Sequence, residues 1–311
     1  MGPIHFREIL KEKIWGGQNL SRLLGKALPE RTKIGESWEL SDFGQDCSEV
    51  ADGELEGQRL RELLGAYSRE IMGLDGVGEF GLLFKFLDAV ETLSVQVHPN
   101  KNEAWYVLEA RPGSKLYLGL KPGVGRQQFQ AAVAEGTVEQ CLESIEPRTG
   151  ECYYLPAGLT HALGGGIVVA EIQTSEQITY RVYDWGRGRP IQVQLSLDTI
   201  NFQARPKCIA AVPEIAGERT TLLAESCFSI ERGVWAAGQS IHIEPEQVQV
   251  WMVLGGEGHY EHKGRTVQLE RGKTVLLPAC WGGVIEIDQQ MCVLVTRPGK
   301  SEPSSVLDEK E

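Results

Sequence analysis

Hydrophobic and polar positions along this chain fall mostly into short alternating or continuous apolar runs bounded by glycine and proline, the pattern of strands and turns. Residues 35–42 (GESWELSD) alternate enough to predict a strand. Residues 60–73 (LRELLGAYSREIMG) space Leu and Ile with a helical period and predict a helix. Residues 82–99 predict two strands separated by a turn, and 104–120 two more around the Arg111-Pro112-Gly113 turn. The texture changes at 127–145, which predicts one or two short helices. Strands resume at Glu151 and continue through YYLPAGLTHAL, GIVVAEIQTS and TYRVYDW, followed by a polar connection from Arg187 to about Glu218. Residues 219–298 again predict only short strands, with a glycine turn at Gly255, Gly256 and Gly258 and a hairpin at Lys263-Gly264.

Leu155-Pro156-Ala157 and Leu277-Pro278-Ala279 end two similar strand–turn stretches, a weak internal repeat. Glycine-rich hairpins feeding a strand that ends in proline are how small jelly-roll barrels read. The expected fold is therefore mainly β, with two jelly-roll barrels and a small helical insertion. The expected division is a catalytic unit at 1–200 with small helical segments, a second barrel without metal at 201–300, and a disordered tail at 301–311.

The composition fits a globular protein: 41% of the 311 residues are hydrophobic and 24% charged. The net charge of -12 supplies no basic surface for nucleic acid. A phosphorylated ligand would need a local group of Lys and Arg, because the overall field repels it. The seven cysteines are odd in number and show no CxxC spacing, against both a disulfide framework and a thiolate zinc site. Unpaired thiols, no signal-peptide pattern and no membrane-length apolar run give the expectation of a soluble cytoplasmic protein, monomer or homodimer, without a nucleic-acid or membrane partner.

Candidate chemistry concentrates around two of the six histidines. In Ser94-Val95-Gln96-Val97-His98 a period of two places Ser94, Gln96 and His98 on one strand face and the valines on the other. Glu103 opens the next strand, five residues after His98, and His161 leaves the PAGLTH turn. Two imidazoles, one carboxylate and an amide oxygen suit Zn²⁺ and also Mn, Fe, Co or Ni. Each histidine taken alone reads more readily as structural or exposed than as a ligand. Their combination with Glu103 and the two turns points to a metal.

The segments LLFKFLDAVETLSVQVHPNKNEAWYVL, YYLPAGLTHALGGGIVVAEIQTSEQITYRVYDWGR and GESWELSD closely resemble type I mannose-6-phosphate isomerases, in particular the shorter bacterial forms of that cupin-fold family. The likeness spans about residues 1–200. The resemblance implies that Gln96, His98, Glu103 and His161 bind one metal ion per chain, usually zinc. It implies further that Glu171 and Arg181 line the substrate pocket, that Arg181 is catalytic, and that Ser94 and Lys101 lie near the metal and the sugar phosphate.

The chemistry agrees with those residue types. Interconverting mannose 6-phosphate and fructose 6-phosphate moves a proton between adjacent carbons through an enediol, which needs a base, a Lewis acid and a cation for the phosphate. Glu171, Lys101 and Arg181 supply these types; the strand of Arg181, ten residues beyond Glu171, is expected to pair with that of Glu171, and the sequence leaves open which residue is the base. Taken alone, Glu171 is equally readable as solvent-facing, and Arg181 as the partner of Asp184 in a structural ion pair. Trp38, Trp105 and Trp185 read as core or pocket wall. PACWGGV has no histidine where PAGLTHA does, and His242, His259 and His262 lack ligand spacing, so no metal is expected in the second barrel. Another metal cupin such as a dioxygenase, or a non-enzymatic sugar-binding cupin, are the rival functions at this stage.

Overall fold

Many strands of this protein are buried on both faces, which is why they read as continuous apolar runs rather than clean alternations. The structure, a computed structural model, describes residues 1–176 and 178–299. The tail expected at 301–311 lies outside the described residues. The fold is mainly β. A seven-stranded sheet runs, edge to edge, Lys207–Ile209, Cys152–Leu155, Glu103–Ala110, Ile167–Thr174, Leu82–Ala89, Ile34–Leu40 and Ile9–Gly17. A five-stranded sheet runs Leu142–Ile145, Leu116–Leu120, His161–Leu163, Val95–Val97 and Tyr180–Tyr183. An eight-stranded sheet holds the C-terminal strands, and the order of pairings closes none of the three into a ring.

The period of two divides the core. In the Ile167–Thr174 strand, Val169 packs with Leu87, Trp105, Leu118 and Leu159 in the space between the seven- and five-stranded sheets. Val168, Ala170 and Ile172 face the other way and meet Phe228, Ile230, Val250 and Met252 of the C-terminal sheet. The outer face of the five-stranded sheet, Val95, Val97, Ala162 and Val182, is covered by Phe129 and Leu197 from the helices Arg126–Glu135 and Val193–Thr199. With its apolar residues committed outward, the inner face of that sheet is left for polar side chains.

The C-terminal sheet wraps its own apolar interior around Trp235, Trp251 and Trp281. The Ile4–His5 strand joins it by pairing with Thr274–Leu277, so the start of the chain completes the later unit. A buried ion pair links the C-terminal sheet to the earlier strands: Lys26 Nζ lies 2.7 Å from Glu39, and Thr274 Oγ1 donates to the same carboxylate at 3.3 Å.

Several expectations need correcting. The predicted strand pairs at 82–99 and 104–120 exist, but their members do not pair with each other; the chain crosses at each turn to the facing sheet. Residues 127–145 form the helix Arg126–Glu135, a single 3₁₀ turn at Val138–Cys141 and the edge strand Leu142–Ile145. The polar connection after Arg187 contains the helix Val193–Thr199 and the strand Lys207–Ile209. The C-terminal strands are not all short, since Gln249–His262 has 14 residues and Gly283–Pro298 has 16. Gly255 and Gly258 mark register shifts inside the longer ladder instead of a turn. At Gly256 a Cβ would sit 2.0 Å from the Gln290 carbonyl oxygen, which accounts for glycine there. Lys263 and Gly264, with φ of 50° and 74°, do form the expected two-residue hairpin turn. The repeated Leu-Pro-Ala segments each end a strand and then turn, Leu159 N–H bonding Pro156 O and Trp281 N–H bonding Pro278 O.

Candidate metal centre

His161, Gln96 and Arg181 lie in one row across three neighbouring strands: His161 is the Cα partner of Gln96, and Gln96 of Arg181. Cross-strand partners project to the same side of a sheet. All three therefore face the seven-stranded sheet, while Val95, Val97 and Val182 on the alternate positions face the helices. Ser94, also buried, precedes Gln96 by two residues. Glu103 was expected on the strand beside His98. It instead opens the Glu103–Ala110 strand of the facing sheet, because residues 98–102 carry the chain across the gap. Ligand-type groups thus reach the same point from both walls.

The donor atoms of His98, Glu103 and His161 all lie within 4.8 Å of one another. The Gln96 amide nitrogen is 3.2 Å from His161 Nε2 and 3.5 Å from His98 Nε2. The three residues are all but sealed, with exposures of 2% for His98, 1% for Glu103 and 2% for His161. Each imidazole is oriented from behind. His98 Nδ1 is 2.9 Å from the Ile178 carbonyl oxygen, and His161 Nδ1 is 2.8 Å from that of Leu159. With Nδ1–H donated to a carbonyl, Nε2 turns its lone pair into the site, the arrangement that outer hydrogen bonds impose on metal-binding histidines. Burial, then the nearby Lys101, pushes the His98 pKa well down, so this ring is neutral.

Those lone pairs meet another acceptor. Glu103 Oε1 is 3.0 Å from His161 Nε2, yet neither Glu103 oxygen accepts a properly directed hydrogen bond. Burial pushes the Glu103 carboxyl up, but the Lys101 ammonium beside it outweighs burial and holds it well below the usual range, so it carries charge. Lys101 Nζ stands 2.5 Å from Oε2 as an ion pair. Converging lone pairs in a buried space repel unless a cation lies among them. The donor set fits a divalent metal.

Glu171 is buried and does not point to solvent: Oε1 lies 3.0 Å from Lys85 Nζ, and Oε2 accepts the Trp105 indole N–H at 2.8 Å. Lys85 also donates to Gln173 Oε1 at 2.7 Å and lies 3.8 Å from Glu36. Lys13 and the Trp38 indole engage Glu36 in turn, at 3.0 and 2.6 Å. Burial would lower the Lys85 pKa, but Glu171 and Glu36 outweigh it and raise it, so the ammonium is held charged. Sequence reasoning missed Lys85, Gln173 and Glu36. The available signal was Lys85 itself, a single cation inside the apolar run LLFKFL.

Arg181 differs from expectation in two ways. Its strand pairs with Val95–Val97 and not with the strand of Glu171, so the two residues approach from opposite sheets. The Arg181–Asp184 ion pair does not form; Asp184 binds Arg187 at 2.9 Å and Arg189 at 2.5 Å. Among the described residues the Arg181 side chain donates only to the Pro190 carbonyl, at 2.8 Å, and its Nε has no hydrogen-bond partner. Trp185, at the five-stranded sheet, packs on Tyr117 and Tyr183 as wall. In the second unit His259 pairs with Asp288 at 2.9 Å, and the His262 ring covers Gly2.

Fold and site together define a mainly β protein of the cupin type with a buried His/His/Glu cluster whose donor atoms suit a divalent metal. The family sequence model described as phosphomannose isomerase type I, catalytic domain, matches residues 4–117. A mannose-6-phosphate isomerase of Streptococcus mutans is 30% identical over 296 residues, covering 89% of this chain and 92% of that protein. The chain belongs to the type I mannose-6-phosphate isomerase family. The crystal structure of mannose 6-phosphate isomerase from Bacillus subtilis superposes with a TM-score of 0.81 at 26% identity, covering 96% of this chain and 100% of that one. A mannose 6-phosphate isomerase bound with zinc and yttrium shares the fold, with a TM-score of 0.77 at 15% identity over 96% of this chain and 100% of that one.

Proposed function

We propose that this chain is a metal-dependent aldose–ketose isomerase that interconverts mannose 6-phosphate and fructose 6-phosphate by proton transfer through an enediol. One observation carries the reading: in the buried pocket of a mannose-6-phosphate isomerase relative, the Glu103 carboxylate meets the lone pairs of two carbonyl-anchored imidazoles without any hydrogen bond.

Gln96, His98, Glu103 and His161 would hold one ion per chain, and the absence of thiolate from the set suits zinc in a catalytic rather than a structural role. When bound, the ion supplies a Lewis acid against negative charge developing on a sugar oxygen. The remaining work falls to the side chains around it. Glu171, with both oxygens held, is the carboxylate suited to accept the carbon-bound proton and return it to the neighbouring carbon. Lys101, anchored on Glu103, offers a compact cation to a substrate oxygen. Arg181, with donors unspent, offers a planar fork to the phosphate or to enediolate charge. Ser94 would add a hydroxyl beside Gln96. Burial of the site limits water, which protects an enediol and strengthens each of these charges.

The test is an oxygen-free incubation of the zinc-loaded protein with fructose 6-phosphate, followed by enzymatic detection of mannose 6-phosphate. The account expects steady formation of product. Metal-loaded, folded protein that forms none would remove it, and oxygen uptake in an aerobic control would favour a dioxygenase.

A further inference from the structure

Trp105 reads from sequence as core or pocket wall, and its contacts are specific. It follows Glu103 by two residues and so shares its face of the strand, and it is 1% exposed. Its Cα partners on either side are Glu171 and Tyr153. The indole N–H donates to Glu171 Oε2 at 2.8 Å, and the ring meets the His161 imidazole edge-on, with centroids 5.6 Å apart and planes at 78°. A single rigid side chain therefore touches both the carboxylate assigned the proton transfer and one of the imidazoles assigned to the metal.

The two partners of Glu171 constrain it differently. Lys85 is a point charge on a flexible four-carbon stem, and it already serves Gln173 and lies near Glu36. An ammonium fixes the charge of a carboxylate without fixing its plane. The indole N–H is one donor on a flat ring held by core packing, so it sets the direction of the oxygen it binds. Proton transfer depends on that direction more than on the carboxylate's mere presence.

We infer that Trp105 is a positioning residue: its N–H fixes the plane of Glu171 while its ring edge buttresses His161, keeping proton acceptor and metal site in one register. This inference rests on the proton-transfer role given to Glu171. A packing role alone predicts a lower melting temperature, with kcat, KM and zinc affinity shifting together or not at all.

The experiment uses the full zinc-loaded chain in two forms. Trp105→Phe removes the donor together with some volume. Site-specific replacement of Trp105 by 3-benzothienylalanine keeps the bicyclic shape and substitutes sulfur for the N–H, so it reads the donor even where the Phe variant folds poorly. Loss of a hydrogen bond to a charged group corresponds to a fall in kcat of roughly 10- to 100-fold. The expected result is that fall in the isostere, with KM and zinc affinity within about twofold of the parent. Parent-like kcat in the isostere would overturn the inference. So would a loss of zinc affinity matching the loss of kcat, because Trp105 would then act through His161 alone. Glu171→Gln, measured beside them, separates the two levels. Near-parent turnover there removes the role of Glu171 and this inference with it, whereas an inactive Glu171→Gln beside a parent-like isostere removes only the positioning role of Trp105.

Discussion

Glu103 Oε1 stands 3.0 Å from His161 Nε2 without a hydrogen bond between them, although both residues are buried. His161 Nδ1–H donates to Leu159 O, which turns Nε2 toward the carboxylate. The contact makes physical sense with a cation in the pocket. Stripping the protein with a chelator should therefore destabilise it. An ion present at 1,000 times its dissociation constant stabilises by ~4 kcal/mol, so the melting temperature should fall on the order of 10 °C and recover on adding zinc. An unchanged melting curve after verified metal removal would contradict this assignment.

Arg181 should behave as a functional and not a structural residue, because the alternative, an ion pair with Asp184, does not form; Asp184 is taken by Arg187 and Arg189. Arg181→Ala should keep its metal and melt near the parent temperature, yet lose on the order of 10²–10³ in turnover. Arg181→Lys should recover part of that, as it keeps the charge but not the fork. Asp184→Asn should show the opposite profile, a lowered melting temperature from two loosened arginines. Near-parent turnover in Arg181→Ala would end the catalytic assignment.

Lys85 holds two carboxylates on its own sheet, Glu171 at 3.0 Å and Glu36 at 3.8 Å. Lys85→Met would leave the buried Glu171 carboxylate without its cation, at a cost of about 3–5 kcal/mol by denaturant titration. Adding Glu171→Gln to that variant should restore part of the stability while leaving turnover low. A Lys85→Met protein as stable as the parent would show the network to be dispensable.

The Glu36 carboxyl gives the stability a pH dependence of known sign. Burial raises its pKa, but Lys85, Lys13 and the Trp38 indole outweigh burial and lower it to about 2. A group with a depressed folded pKa stabilises fully above its unfolded pKa, near 4.5, and loses that contribution as the pH falls through 2. The shift corresponds to about 3 kcal/mol at neutral pH. Glu36→Gln should be less stable than the parent by about that much at pH 7, and the gap should narrow between pH 4.5 and 2. A gap independent of pH would show that Glu36 is not held by its lysines.

The metal face was legible in the sequence because Val95 and Val97 need a core and thereby turn Gln96 and His98 the other way. His161 was legible from the bend that Pro156 and Gly158 impose. Sheet partnership was not legible, because a period of two fixes which face a residue takes but not which strand lies beside it. For that reason Glu103 was expected next to His98, and Glu171 next to Arg181, when each pair spans the gap between facing sheets. The short helix Val193–Thr199 offers barely two turns of periodicity to detect. Lys85 was hidden by its own surroundings, since a strand buried on both faces masks the position where one face turns polar.

The most direct test of the account is isomerase turnover against metal occupancy. Apoprotein would be titrated with zinc while mannose 6-phosphate formation from fructose 6-phosphate and bound zinc are measured on the same samples. The account predicts activity rising from zero in proportion to bound metal and levelling at one ion per chain. It also predicts that Glu103→Gln, folded but binding zinc far more weakly, stays inactive over the same range. Full turnover at metal content near zero, or a Glu103→Gln protein that matches the parent in both zinc and activity, would contradict it.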